Sequence, residues 1–329
     1  MTRTAGSATS ASVSESKPQN SARGLLYIAL AAFFWGVSAS LGRAAFTGRL
    51  LPDAGIRSVD PLILSQCRTG FSFLVVAVGL IVRRGLRKLQ VPRGDLAKLL
   101  FLGLGGVAAS NYFYYLAIQR TNVATAIIVQ YTAPVWVLLI MVMRGAERLT
   151  PLKLASVILA ITGIALVIGL LGQGRLQFDS IGVGAALVAA FSFTYYNVGG
   201  HAILLRYDRW MVLLYTTLFA SLFWIVVNPP TKILAPHYSG STWAFLAIFS
   251  LLSVLLPFSL YFAGLERLVP TKAVIASCLE PVFSIVIAAV ALKEVVGLLQ
   301  GIGVAMVLSA IVLAQRTGRE LQSIPGQVD

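Results

Sequence analysis

Part of this chain is written twice. Shifted by 147 positions, Leu99 falls on Leu246, Tyr114 on Tyr261, Arg120 on Arg267, Ala126 on Ala273, Ile128 on Ile275, Pro134 on Pro281 and Glu147 on Glu294. At a shift of 158, Gly24 falls on Gly182, Ala31-Ala32-Phe33 on Ala189-Ala190-Phe191, and Gly42 and Ala44 on Gly200 and Ala202. The 11-residue difference places an insertion in the polar loop between Gly48 and Asp60. Both copies run through hydrophobic stretches too long for soluble helices. A membrane unit that is duplicated, with little chain outside the bilayer, is most often a secondary transporter.

Hydrophobic residues make up 57% of the 329 positions and charged residues 12%, a balance that no soluble chain of this length could carry on its surface. A helix needs about 20 apolar residues to cross the hydrocarbon core. Ten such runs occur, over approximately 25–46, 61–82, 96–118, 121–143, 151–171, 181–205, 210–228, 241–265, 270–292 and 295–315. They are continuous rather than alternating, which excludes barrel strands. The fold class is therefore an all-α membrane protein. Its layout is a tail over 1–23, a first five-helix repeat over 24–172, a second over 180–315, and a tail over 316–329. The Ser-, Thr- and Ala-rich N-terminal tail has no apolar core, so it reads as disordered and not as a signal peptide.

The net charge of +14 invites a nucleic-acid partner, but its distribution points elsewhere. With both ends on one side of the membrane, 18 Lys and Arg residues fall on that side and 8 on the other. This is the positive-inside bias, so both termini are expected in the cytoplasm, and no surface is left that needs a nucleic acid. Cys67 and Cys278 lie inside spans without metal spacing and read as small packing residues.

Five spans per copy is an odd number, so the second copy must enter the bilayer in the opposite sense to the first. Two similar bundles of opposite orientation can exchange conformations and expose a midplane site to each side in turn.

With ten spans, the 5+5 duplication, Trp35-Gly36 midway along the first span and the paired endings Pro134 to Glu147 and Pro281 to Glu294, the chain resembles the EamA-type members of the drug/metabolite transporter superfamily. In the second copy the motif reads Leu279-Glu280-Pro281 and then Lys293-Glu294. The general likeness is to the aromatic amino-acid exporters of the YddG type. The resemblance implies a central cavity lined by spans 1, 3, 4, 6, 8 and 9, with spans 5 and 10 peripheral. It also implies a multi-pass protein of the bacterial inner membrane that exports solutes. The long first outer loop departs from the family pattern.

Of twelve carboxylates only Glu280 lies well inside a span. A charge there is costly unless it is paired, neutral or wet. It reads either as a proton or substrate-ammonium site, or as a protonated side chain bonding a carbonyl freed by Pro281. Pro134 and Pro281 each remove a helix hydrogen bond at equivalent places, which makes them candidate hinges. Polar and aromatic residues at helical spacing complete the candidate substrate site: Trp35 and Ser38 on span 1, Asn111 and Tyr114 on span 3, Gln130 on span 4, Tyr195 and Tyr196 on span 6, Tyr261 on span 8, and Ser277 with Glu280 on span 9. Arg43, Arg68 and Lys272, near span ends, are expected to snorkel to the interface, leaving the site without a cation. Trp210, Tyr238 and Trp243 read as interfacial anchors. On span 10 the row Gly297, Gly301, Ala305 and Ser309 is expected to pack against a helix of the same chain.

That inventory suits a neutral or aromatic amino acid, or a related metabolite, exported by alternating access. The alternative is efflux of drugs or other aromatic cations. Enzyme signatures are absent and His201 and His237 stand alone, so an intramembrane enzyme or a sensor is a poor second class. The expected partners are a small-molecule substrate and the lipid bilayer. No cofactor or metal is called for, and the chain is expected to act as a monomer.

Overall fold

The structure, a computed structural model, describes residues 21–46, 59–169, 179–292 and 296–316. Among them nine helices are long and apolar enough to cross a membrane, and Pro151–Val167 is a tenth, shorter apolar helix. In chain order these are α1 (Ser21–Phe46), α2 (Pro61–Arg84), α3 (Arg93–Arg120), α4 (the two pieces Val123–Gln130 and Ala133–Met143), α5 (Pro151–Val167), α6 (Ser180–Leu204), α7 (Arg209–Val227), α8 (Gly240–Leu265), α9 (the two pieces Pro270–Ser277 and Leu279–Leu292) and α10 (Leu298–Arg316). The tails, most of the first outer loop and Glu294 lie outside the described residues.

The starts of these helices follow from local chemistry. The first amide groups of a helix have no partner within it, and a polar side chain just ahead can accept from them. Asp60 accepts from the amides of Leu62 and Ile63, Asn122 from Thr125, Thr150 from Lys153, Asp179 from Gly182, and Asp208 from Trp210 and Met211. Pro61 and Pro151 then occupy first-turn positions, where a missing N–H costs nothing. Beyond the caps the surface is apolar: Leu74, Val78, Val82, Met143, Ile158, Val226, Ile248 and Val290 are all exposed, as lipid contact requires.

Ser21 at the start of α1 donates to Gln315 near the end of α10, so both described ends lie on one side, called here the terminal side. Within the bilayer helices associate through close packing rather than by expelling water, and small residues permit it. A Cβ on Gly24 would sit 2.9 Å from Leu268 and 3.0 Å from Arg267, and one on Gly182 would sit 2.6 Å from Thr121 and 2.8 Å from Arg120. These two contacts are images of each other under the sequence repeat. One holds α1 to the end of α8 on the terminal side, and the other holds α6 to the end of α3 on the far side. The inverted relation between the halves is thus present at the level of single contacts.

At the rim α5 packs along α10, where Gly163 and Gly303 face each other so closely that a Cβ on either would come within 2.8 Å of the other's carbonyl oxygen. The buried row of α10 is Gly303, Val307, Ala310 and Ala314. Gly297, Gly301, Ala305 and Ser309 are exposed, so the small-residue row expected to pack inside the chain faces outward.

Four spans are irregular, in two equivalent pairs. In α3 the stretch Leu102–Ala108 and in α8 the stretch Leu251–Leu255 are π-helical. In α8 the cause is Pro257, which has no N–H to give and whose ring clashes with the carbonyl four residues earlier. In α3 three glycines, Gly103, Gly105 and Gly106, loosen the helix, and the Tyr196 Cβ would lie 3.1 Å from a Cβ on Gly106. Spans α4 and α9 are interrupted, at Tyr131-Thr132 and at Cys278, just ahead of Pro134 and Pro281.

Candidate functional site

The two interruptions meet inside the bundle. The second piece of α9 begins at Leu279, which puts Glu280 in its first turn, where the partial positive charge of a helix N-terminus favours a carboxylate. From the break in α4 the Tyr131 hydroxyl donates to Glu280 Oε2 at 3.1 Å. One residue comes from each half. Glu280 is partly exposed, and no Lys or Arg forms an ion pair with it among the described residues. Beside it α1 approaches closely: a Cβ on Gly36 would lie 3.0 Å from Phe283 and 3.2 Å from the Glu280 carbonyl oxygen. Gly36 therefore sets the spacing between α1 and the backbone of α9 at Glu280.

Arg68 corrects the sequence reading. It is seven residues past the start of α2, about 10 Å along the axis, and its guanidinium turns inward to donate to the Asn111 side-chain oxygen on α3. Asn111 is oriented by its own amide, which donates to the Val107 carbonyl at 2.7 Å. Arg68, Asn111 and Tyr196 line a narrow cleft with Thr216 and Thr217 of α7 and Phe258 of α8, about 10 Å³ in volume and roomy enough for about one water. The site therefore holds a cation, and α2 and α7 join its walls, which the family resemblance did not imply. The depth of Arg68 was the available signal, because a side chain two turns inside a span no longer reaches its near end.

The other candidates divide by accessibility. Trp35 is half-buried against Phe258 and Tyr261, with ring centres 5.2 and 5.3 Å apart. Tyr114 and Gln130 are also partly accessible, and Gln130 lies 3.5 Å from the Ser110 hydroxyl. Ser38 is buried, and its hydroxyl is committed to the carbonyls of Phe34 and Leu252, the latter in the π-helical stretch of α8. Tyr261 is fully buried and donates to the Asn197 side chain, and Ser277 is buried on the Val274 carbonyl at 2.8 Å. Ser38 and Tyr261 thus tie helices together and Ser277 bonds within α9, and none of the three lines the cleft. Tyr195 is 42% exposed and lies in an outer groove with Lys98 and Arg206. It does not reach the site, because it sits about 100° around α6 from its neighbour Tyr196. Tyr131 was missed by the sequence reading; its repeat counterpart is Cys278, so pairing the copies gave no hint of it.

Ties between the halves lie on both sides of the membrane-embedded site. On the terminal side Arg84 holds Asp208 at 2.6 Å, and Asp95 accepts from Arg206 at 2.7 Å and Tyr207 at 2.8 Å. Partial burial pushes the Asp208 carboxyl up, but the Arg84 hydrogen bond and charge, with the amides of Trp210 and Met211, outweigh it and hold the group below its ordinary range. On the far side Asn228 donates to Gln66 at 2.8 Å, with both side chains buried. At the end of α4, Glu147 and Lys153 form a buried ion pair at 2.7 Å. Among the described residues no group of three His, Cys, Asp or Glu side chains could hold a metal ion.

The sequence pattern of the EamA-like transporter family matches this chain twice, over residues 22–169 and 180–315. The chain belongs to that family and is a membrane transporter. It is 27% identical over 271 residues to an uncharacterized transporter of Archaeoglobus fulgidus, covering 79% of this chain and 89% of the relative. It is 22% identical over 301 residues to the uncharacterized inner membrane transporter YicL of Salmonella typhimurium, covering 90% and 96%. A solved crystal structure, 22% identical, superposes with a TM-score of 0.70 over 90% of this chain and 98% of that one, and so shares the fold.

Proposed function

We propose that this transporter moves aromatic or bulky neutral amino acids, or close metabolites of them, out of the cytoplasm by alternating access between its two halves. The observation that carries the reading is Glu280: a carboxylate inside the membrane, partly open and held by Tyr131 of the opposite half, while the partly accessible Trp35 of α1 and Tyr114 of α3 supply aromatic surface within the bundle. A primary ammonium group supplies the partner that this carboxylate lacks, and the aromatic walls suit an apolar side chain. The paired helix breaks at Pro134 and Pro281 and the paired π-helical stretches supply places where each half can bend. When the site opens to the terminal side, the Arg84 to Asp208 and Asp95 to Arg206 ties must part; opening to the far side requires Asn228 to leave Gln66.

The terminal side is assigned to the cytoplasm of a bacterial inner membrane. This rests on the 18 to 8 distribution of Lys and Arg and is supported by the naming of one relative as an inner membrane transporter. No second carboxylate deep in the spans extends from Glu280 as a proton relay, so movement follows the substrate's own gradient. Competition for the binding site of the purified protein tests the substrate class. Phe and Trp should displace a labelled aromatic amino acid and tetraphenylphosphonium should not. Displacement by the cation alone would replace amino-acid export with aromatic-cation efflux.

A further inference from the structure

Arg68 carries a charge that no carboxylate answers among the described residues. Its partner is the neutral oxygen of Asn111, which occupies one of the five N–H donors of a guanidinium. In the same cleft the Tyr196 side chain is 2% exposed and its hydroxyl has no hydrogen-bond partner. Thr216 and Thr217 satisfy neither group, because their hydroxyls are bonded to the carbonyls of Val212 and Leu213 at 2.8 and 2.6 Å. Asn111 cannot turn its amide to help either, since that amide is held by Val107. The cleft thus presents a planar cation that no carboxylate pairs with and a buried phenol whose hydroxyl lacks an acceptor. Buried donors in a folded protein are nearly always satisfied, by protein, water or ligand.

We propose that Arg68, Asn111 and Tyr196 form a carboxylate-binding subsite in the transport path. Two parallel N–H groups of Arg68 take the two carboxylate oxygens, Asn111 fixes the plane of the guanidinium, and Tyr196 donates to one oxygen. The subsite rests on the amino-acid reading above and sharpens it: Glu280 takes the ammonium end of the substrate and Arg68 the carboxylate end. No ion pair joins Arg68 to Glu280 among the described residues, so each charge is left for a separate end of the substrate. A zwitterion answers both charges at once, whereas an amine or a quaternary ammonium compound leaves Arg68 unanswered and is repelled by it. The volume of about 10 Å³ then describes a closed subsite that admits a carboxylate once α2, α3 and α6 separate.

The test is equilibrium binding to the purified full-length protein with four probes: Phe, its methyl ester, phenethylamine and 3-phenylpropionate. The parent should bind Phe at least about 10-fold more tightly than the ester or the amine, the scale of one lost charge-assisted hydrogen bond. Arg68→Gln should erase that preference by weakening Phe, with phenethylamine bound as tightly as by the parent or more tightly. Tyr196→Phe removes only the unpartnered hydroxyl; it should weaken Phe severalfold, spare phenethylamine, and not lower the melting temperature. It also keeps the proposal testable if Arg68→Gln does not fold. Equal weakening of Phe and phenethylamine in both variants, or none, would show that Arg68 only ties α2 to α3 and would overturn the subsite. If the parent binds neither Phe nor phenethylamine, the amino-acid reading fails. The subsite then stands or falls on 3-phenylpropionate, which must bind the parent and lose that binding in Arg68→Gln.

Discussion

Replacing Glu280 by Gln removes a charge and changes almost nothing else. The amide oxygen of Gln can still accept from Tyr131 at the 3.1 Å separation seen for the carboxylate, so the contact between the breaks in α4 and α9 survives. The empty protein should melt at or slightly above the parent temperature, because a charge held inside the membrane is a cost that Gln does not carry. Binding should behave differently. A hydrogen bond between an ammonium and a carboxylate contributes about 1.5 to 3 kcal/mol, so the dissociation constant for an aromatic amino acid should rise roughly 10- to 150-fold. Isothermal titration of the purified variant, with a melting curve on the same sample, reads both quantities. Glu280→Ala serves as the contrast, since it leaves the Tyr131 hydroxyl without its acceptor and should lose about 1 to 3 kcal/mol of stability as well. If Glu280→Gln binds substrate as the parent does and melts lower, the carboxylate is a structural clamp and the account of the site is wrong.

Lys153→Met should leave Glu147, nine-tenths buried, as an uncompensated charge and cost about 3 to 5 kcal/mol; the double variant with Glu147→Gln should regain most of it, as read by unfolding in detergent. Gly163→Leu drives a side chain into the carbonyl of Gly303 and should separate α5 from α10 at a cost of about 1 to 3 kcal/mol, while leaving substrate affinity unchanged. The depressed Asp208 carboxyl stabilises the fold fully above its ordinary value of 3.8, and that contribution is lost as the pH falls through the folded value. Both partners are more than a third exposed, so the effect is at most about 1 kcal/mol, and Arg84→Gln should flatten the acid limb of the stability profile below about pH 4.

The repeat and the apolar runs made the helix count, the span boundaries and the inverted arrangement legible, with starts within a residue or two of those that Asp60, Thr150, Asp179 and Asp208 cap in the structure. What stayed hidden was which face of each span turns inward. In a soluble helix the apolar stripe marks the buried side, but in lipid both sides are apolar and that signal disappears. Two small rows on α10 therefore looked alike, and the one that packs is Gly303 to Ala314 rather than Gly297 to Ser309. The neighbours Tyr195 and Tyr196 looked alike for the same reason. Arg68 was misplaced because a cation near a span end ordinarily reaches for the interface; its depth two turns into α2 hinted otherwise, and its bond to Asn111 shows that it turns inward. The breaks at Tyr131 and Cys278 were foreshadowed by Pro134 and Pro281, whereas the π-helical stretch of α3 has no proline and was marked by nothing more than its glycines.

The central claim is that this protein carries an amino acid across a bilayer through the site between Arg68 and Glu280. Counterflow measures that directly: liposomes containing the purified protein are loaded with unlabelled Trp and diluted into a trace of labelled Trp. Transient accumulation of label is expected with the parent and not with protein-free liposomes, and it should be strongly reduced in Glu280→Gln and abolished in Gly36→Trp, which wedges α1 away from α9 at Glu280. Accumulation that is equal in all three proteins would place the path elsewhere. No accumulation of Trp or Phe by a folded parent that does accumulate a labelled aromatic cation would contradict amino-acid transport outright.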